Sequence, residues 1–132
     1  MIKPEDIKGN DERAEQIRLF SWASINRPQY PQLKWLHAIP NANSHRQVAE
    51  GVRAGVADIF LPYPKLKIIR GDISRCYGLY IELKLPKRFK EKNGGLSQAQ
   101  IDFGRYANSV GYLWYACYGW EQTRDRIVEY LK

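Results

Sequence analysis

The sequence predicts an α/β domain with a mixed central β-sheet of about four strands flanked by helices. Three observations carry that reading. Segments of helical and strand character follow one another in the order α, β, α, β, β, α, β, α, a pattern that a layered architecture accommodates. Glycine and proline punctuate the boundaries, as at Pro28, Pro31, Gly51, Gly55 and Gly111. The chain has 132 residues, enough for one hydrophobic core and too few for two ordinary domains.

Taken in order, residues 1–10 read as a loose polar leader and residues 11–132 as the domain. A first helix is expected from Asp11 to about Asn26, with Asp11 as its cap and Ile17, Phe20 and Ser24 on one face. Pro28 and Pro31 end it. "LKWLHAI", residues 33–39, alternates as a strand does. "NANSH" is rich in turn formers, and "HRQVAEGVRAG" supports a short helix closing near Gly51 or Gly55. "VADIFLP" is a second strand, "YPKLKIIRGDISRCYG" a linker or a hairpin, and "LYIELKL" a third strand. The basic loop "PKRFKEKNGG" leads into a helix over "LSQAQIDFGRYANSVG". Ser97 caps that helix, Gln100 takes the capping-box position and Gly111 stops it. "YLWYACYG" is the last strand, and the terminal helix "WEQTRDRIVEYLK" turns Ile127, Val128 and Leu131 to the sheet.

Bulk properties narrow the function. The composition is globular, with 44% hydrophobic and 27% charged residues, no repeat and no low-complexity tract. No apolar run is long enough to span a bilayer, and the polar start of the chain lacks the apolar core of a signal peptide, so a cytoplasmic protein is expected. Cys76 and Cys117 lack metal-type or redox-type spacing and are expected to be free thiols, Cys117 in a strand and Cys76 in a turn. The 21 Lys and Arg outnumber the 14 Asp and Glu, a formal charge of +7. That excess favours a polyanionic partner such as DNA or RNA.

The third strand poses the sharpest question. "GLYIELK" carries Glu82 and Lys84 inside an apolar run, and "GVADIF" carries Asp58. Alternate strand residues share a face, so Glu82 and Lys84 point the same way. If the two strands are neighbours, Asp58, Glu82 and Lys84 form one cluster at a sheet edge. Two carboxylates held close repel, and one lysine does not satisfy both. Mg²⁺ would, because this hard cation takes one or two carboxylates together with water and phosphate oxygens. The Leu83 carbonyl, between the two charges, is placed to be a further ligand. Such a group suits phosphodiester hydrolysis, with Lys84 orienting the attacking water or stabilising charge on phosphorus. The structural alternative is an ion pair of Lys84 with Glu82 or Asp58.

The motifs "AIPNANSHR", "AEGVRAGVADIFLP", "GLYIELKLPK", "LSQAQIDF" and "GYLWYACYGWEQTRDRIVEYL" occur in the order found in VRR-NUC domains. The chain thus resembles, from about Glu12 to Leu131, the virus-type replication-repair nucleases of the PD-(D/E)xK superfamily. The resemblance implies a restriction-endonuclease-like core and a Mg²⁺-dependent DNA nuclease, with Mn²⁺ as a substitute. It places the family's acid on Asp58, its ExK on Glu82 and Lys84, and the glutamine of its LSxxQ helix on Gln100. Its first-helix glutamate falls on Glu12, with Gln16 one turn on and Glu15 as the rival. One departure is Ala57, where the family usually has proline; no ligand is lost by it.

Other residues admit two readings. Asn41, Asn43 and Arg46 either build a turn or, as the resemblance implies for an Asn and an Arg there, contact the scissile strand. Lys87, Arg88, Lys90 and Lys92 form either a solvated loop or phosphate anchors beside the site. Gln100 serves the helix cap, the site or both. His37 and His45 have no third ligand nearby for zinc, and Trp22, Trp35, Trp114 and Trp120 read as core or interface. Stand-alone chains of this type resemble phage and prophage members, which by analogy are homodimers that resolve Holliday junctions in a bacterial or phage-infected cell. A two-fold dimer supplies two sites for the two symmetric strands of a four-way junction. Tyr63, Trp114, Tyr115 and "YPKLKIIR" are the residues offered for its contact. The alternatives are a nuclease for flaps or splayed arms, and a DNA-binding protein without cleavage activity.

Overall fold

The computed structural model describes residues 2–132; Met1 of the leader lies outside the described residues. Helix α1 (Glu12–Ile25) begins where expected, with the Asp11 carboxylate accepting the Ala14 N–H at 2.8 Å. The strand predicted over residues 33–39 is much shorter. Pro31 starts a 3-10 turn (Pro31–Trp35) and leaves only β1 (His37–Ala38) extended. A single short turn of helix, α2 (His45–Ala49), follows, then β2 (Ile59–Leu61). The open choice between linker and hairpin resolves as a hairpin, β3 (Lys65–Ile69) with β4 (Asp72–Cys76). Strand β5 (Leu79–Lys84), helix α3 (Gln98–Ser109), strand β6 (Leu113–Tyr118) and helix α4 (Trp120–Leu131) complete the chain.

The main sheet has four strands in the order β1-β2-β5-β6. Strands β1, β2 and β5 pair antiparallel, and β5 and β6 pair parallel across a crossover through α3. The sheet is therefore mixed and flanked by helices, as the sequence predicts. Leu79, Ile81 and Leu83 alternate onto one face of β5, where Leu19 and Trp22 of α1 and Ile127 and Tyr130 of α4 cover them. On the other face Tyr80 packs edge-on against Phe103 of α3, with ring centroids 5.1 Å apart.

This second layer is tight at Gly104. A Cβ there would lie 2.6 Å from the Trp114 ring, so Gly104→Ala forces the indole or the helix to move. The expected cost is about 1–3 kcal/mol, read as a lower urea midpoint with unchanged slope.

Leu19, Trp22 and Ala23 of α1 are buried in the core. Ile17, Phe20 and Ser24 share one face as expected and line a depression with Ile2 and Ile7 of the leader; Phe20 also packs against the core, whereas Ile17 is 48% exposed. Two local expectations are corrected. Residues 2–10 are held along α1 rather than loose: Arg18 donates to the carbonyls of Ile7 and Gly9, and Ser21 to that of Ile2. Cys76 ends β4 and is buried rather than lying in a turn. Cys117 is buried in β6 as expected, which pushes its thiol up to about 11.

Candidate active site

The pairing of β2 with β5 ends at Ile59 opposite Ile81. One residue earlier, Asp58 does with its side chain what a ladder bond would otherwise do. Its carboxylate accepts the Leu83 N–H at 2.8 Å, while its own carbonyl accepts the Ile39 N–H at 2.7 Å. Asp58 thus spans from β1 to the open edge of β5. The N–H and C=O of one strand residue point to the same edge, so the Leu83 carbonyl opens toward Asp58 as well.

What leads into Asp58 is fixed by packing. Gly55 adopts φ +88° and lies so close to Ala99 that a Cβ would meet the Ala99 carbonyl oxygen at 2.9 Å. Only glycine allows this left-handed turn to press on the first turn of α3. Ala57 is completely buried.

Glu82 and Lys84 share the α3 face of β5 and are 2% and 5% exposed. The Glu82 carboxyl is pushed up to about 10: first by burial, then by its hydrogen bond to Asp58 and by the Asp58 charge. Lys84 acts in the opposite sense, and Glu12 adds a further upward push. Without a cation, therefore, Glu82 holds a proton at neutral pH and donates it to Asp58. Its Oε1 atom is buried with no hydrogen-bond partner. Among the described residues no ion pair within 4.0 Å includes Lys84. The structural alternative, a Lys84 salt bridge to Glu82 or Asp58, is not formed.

The first-helix acids separate. Glu15 pairs with Arg18 at 3.1 Å. Glu12 lies within electrostatic reach of Glu82 and pairs at 3.6 Å with Arg88, which also binds Glu91 at 3.1 Å and the Gly95 carbonyl. Arg88 thereby ties the basic loop to the start of α1. Nothing local in the sequence announces this tie, because its ends are far apart in the chain. Lys87, Lys90 and Lys92 remain exposed on two 3-10 turns beside the end of β5. Gln100 completes the capping box: its carboxamide oxygen accepts the Ser97 N–H at 2.9 Å. Asn41 is exposed in the loop before α2, and Arg46 is exposed on α2, 3.5 Å from Glu50. His37 and His45 are exposed, on β1 and at the start of α2.

The buried Glu82 carboxyl beside the half-buried Asp58, a carboxyl oxygen without a partner among the described residues and an adjacent strand carbonyl make a donor set suited to one hard divalent cation. Among the described residues no group of three or more His, Cys, Asp or Glu gathers into an all-protein metal cage.

No family model matches the chain, and neither does any curated protein. Among solved structures, one described as a "VRR_NUC domain protein" superposes with a TM-score of 0.66 at 22% identity, covering 93% of this chain and 89% of that one. The chain has the VRR-NUC fold. The likeness runs through nearly the whole of both chains, so the VRR-NUC fold accounts for the domain with little left over. Among the described residues no helix is long and apolar enough to cross a membrane.

Proposed function

We propose that this VRR-NUC domain is a metal-dependent DNA endonuclease that hydrolyses phosphodiester bonds, acting as a homodimer on four-way (Holliday) junctions. The observation that carries the reading is the buried Glu82 carboxyl, with its unpartnered oxygen, against the half-buried Asp58 and next to a buried lysine that pairs with neither acid. Burying charged and polar groups in this way costs stability, and such groups cluster at sites that bind or react.

Asp58, Glu82 and the Leu83 carbonyl would hold Mg²⁺, or Mn²⁺ in its place, which when bound supplies Lewis acidity toward a phosphoryl oxygen and a more acidic water. Lys84 positions the attacking water and offsets charge at phosphorus. Glu12 keeps a further negative charge near the acid pair, and Gln100 and Asn41 contribute polar contacts. Lys87, Lys90, Lys92 and Arg46 anchor phosphates, with Arg88 holding their loop in place. The aliphatic outer face of the hairpin, with Leu66, Ile68 and Ile73 each more than 60% exposed, favours a second copy as the covering surface.

A nicking assay on a four-way junction with Mg²⁺ tests the assignment. Wild type is expected to cut in a metal-dependent way, and Asp58→Ala to be inactive. Binding without nicking would reassign the protein to the DNA-binding class, and equal cutting of flaps would remove the junction preference alone. The Lys87→Ala/Lys90→Ala/Lys92→Ala protein should bind junctions more weakly, with a logarithmic salt slope lower by roughly 2–3. Fluorescence anisotropy over a salt series reads that slope directly.

A further inference from the structure

Strand β6 ends beside Lys84. Tyr118 is the partner of Lys84 in the parallel β5–β6 pair, and the Gly119 N–H bonds to the Lys84 carbonyl at 2.8 Å. Trp114, Ala116 and Tyr118 alternate onto one face of β6, the face on which Trp114 meets Gly104 of α3. Tyr118 and Lys84 therefore stand side by side on the α3 face of the sheet. The Tyr118 backbone is fixed from α4 as well, because its N–H donates to the Gln122 side chain at 2.8 Å.

From this fixed point the Tyr118 side chain reaches the basic loop. Its hydroxyl donates to the Gly94 carbonyl at 2.7 Å, and its ring meets Phe89 edge-on, with centroids 5.2 Å apart. Asn93 and Gly94 adopt φ of 54° and 62°, a left-handed turn that brings the Gly94 carbonyl to the hydroxyl. A Cβ on Gly94 would collide with that hydroxyl, so glycine is what lets the loop come this close. Phe89 is 68% exposed; its contact with the ring buries little, and the hydroxyl bond does most of the holding. These anchors interleave with the lysines: Lys90 follows Phe89 directly, and Lys92 precedes the Asn93–Gly94 turn. Residues 87–92 set four cations, Lys87, Arg88, Lys90 and Lys92, against the single acid Glu91. Their mutual repulsion would spread the loop if nothing held it.

We propose that Tyr118 is a positioning residue for DNA binding, an inference that rests on the reading of this loop as a phosphate anchor. Its hydroxyl bond to Gly94 holds the loop against the sheet, so that Lys87, Lys90 and Lys92 meet phosphates in register with Lys84 and the ion site. Tyr118 acts through these lysines and not on the phosphate. Arg88 ties the same loop to the start of α1 through Glu12, whereas Tyr118 ties it to the strand that flanks Lys84. Between them the two side chains fix the loop from helix and from sheet, and a loop held in its binding shape spends less of its contact energy on becoming ordered.

Tyr118→Phe keeps the ring and its contact with Phe89 and removes only the bond to Gly94. Limited trypsin digestion of the full chain without DNA, read by mass spectrometry, should cut after Lys87, Lys90 and Lys92 roughly two- to tenfold faster than in wild type, the factor one hydrogen bond supplies. Cutting after Lys65 and Arg75, in the hairpin, should match wild type. Affinity for junction DNA should fall by a similar factor, while the single-turnover nicking rate at saturating DNA stays within about twofold. Tyr118→Leu, which also takes the ring from Phe89, should loosen the loop further. Loop cutting as slow as in wild type, or cutting raised equally in the hairpin, would overturn the proposal. So would a loosened loop with unchanged affinity, or a slower rate at saturation with affinity intact. Trypsin reads the tie without DNA and wild-type nicking reads the nuclease assignment, so failure of the one is told apart from failure of the other.

Discussion

Glu82→Gln is expected to lower metal-dependent cleavage by roughly a thousandfold or more while leaving the protein as stable as wild type or more so. Most active-site substitutions do not divide in this way. The buried carboxyl already holds a proton in the metal-free protein, pushed up to about 10 by burial and by Asp58. A carboxamide copies that neutral form in size and hydrogen bonding but brings no negative charge to a cation. The same shift sets a pH dependence. A carboxyl whose folded value lies above its unfolded value binds more protons when folded, so its stabilising contribution is complete below about pH 4.5 and is lost as pH rises toward 10. Metal-free wild type should therefore weaken with rising pH across that window, by up to about 1.4 kcal/mol per unit for one proton. Glu82→Gln should flatten the slope. Urea unfolding in chelator at several pH values measures both proteins.

Lys84→Met is the second large effect, and it dissociates differently. Removing a cationic group that acts on charge developing at phosphorus is expected to cost roughly a hundred- to thousandfold in cleavage rate. The Lys84 side chain is 5% exposed and has no carboxylate within 4.0 Å among the described residues. Replacing it by an apolar side chain of similar length should leave stability unchanged or raise it. Divalent-metal binding should survive, because the ligands proposed are Asp58, Glu82 and the Leu83 carbonyl. Single-turnover nicking gives the rate, and thermal shifts with and without Mn²⁺ give the metal response. Loss of both together would move Lys84 from the chemistry to the architecture of the site.

Much of this site is legible in the sequence because strand alternation is a strict rule. Two residues apart on one strand, Glu82 and Lys84 had to share a face, and their position inside an apolar run signalled burial. The capping box of Ser97 and Gln100 is equally local and forms as read. What sequence patterns do not carry is contact between distant segments. The Asp58 bridge to the Leu83 N–H depends on the register of β2 against β5. The Arg88–Glu12 tie joins a loop to the first helix, and neither end shows the other. The seating of the leader on α1 is not legible either, because Ile2 and Ile7 are isolated apolar residues in a stretch that reads as merely polar. Strand β1 shrank because Pro31 favours a 3-10 turn over the alternation that follows it.

The most direct test is calorimetric titration of Mn²⁺ into wild type and Glu82→Gln at neutral pH, in buffers of different ionisation enthalpy. The account predicts that wild type binds the ion and releases the Glu82 proton as it does so, and that Glu82→Gln binds far more weakly with no proton released. Equal binding by the two proteins, or binding by wild type without proton release, would contradict it.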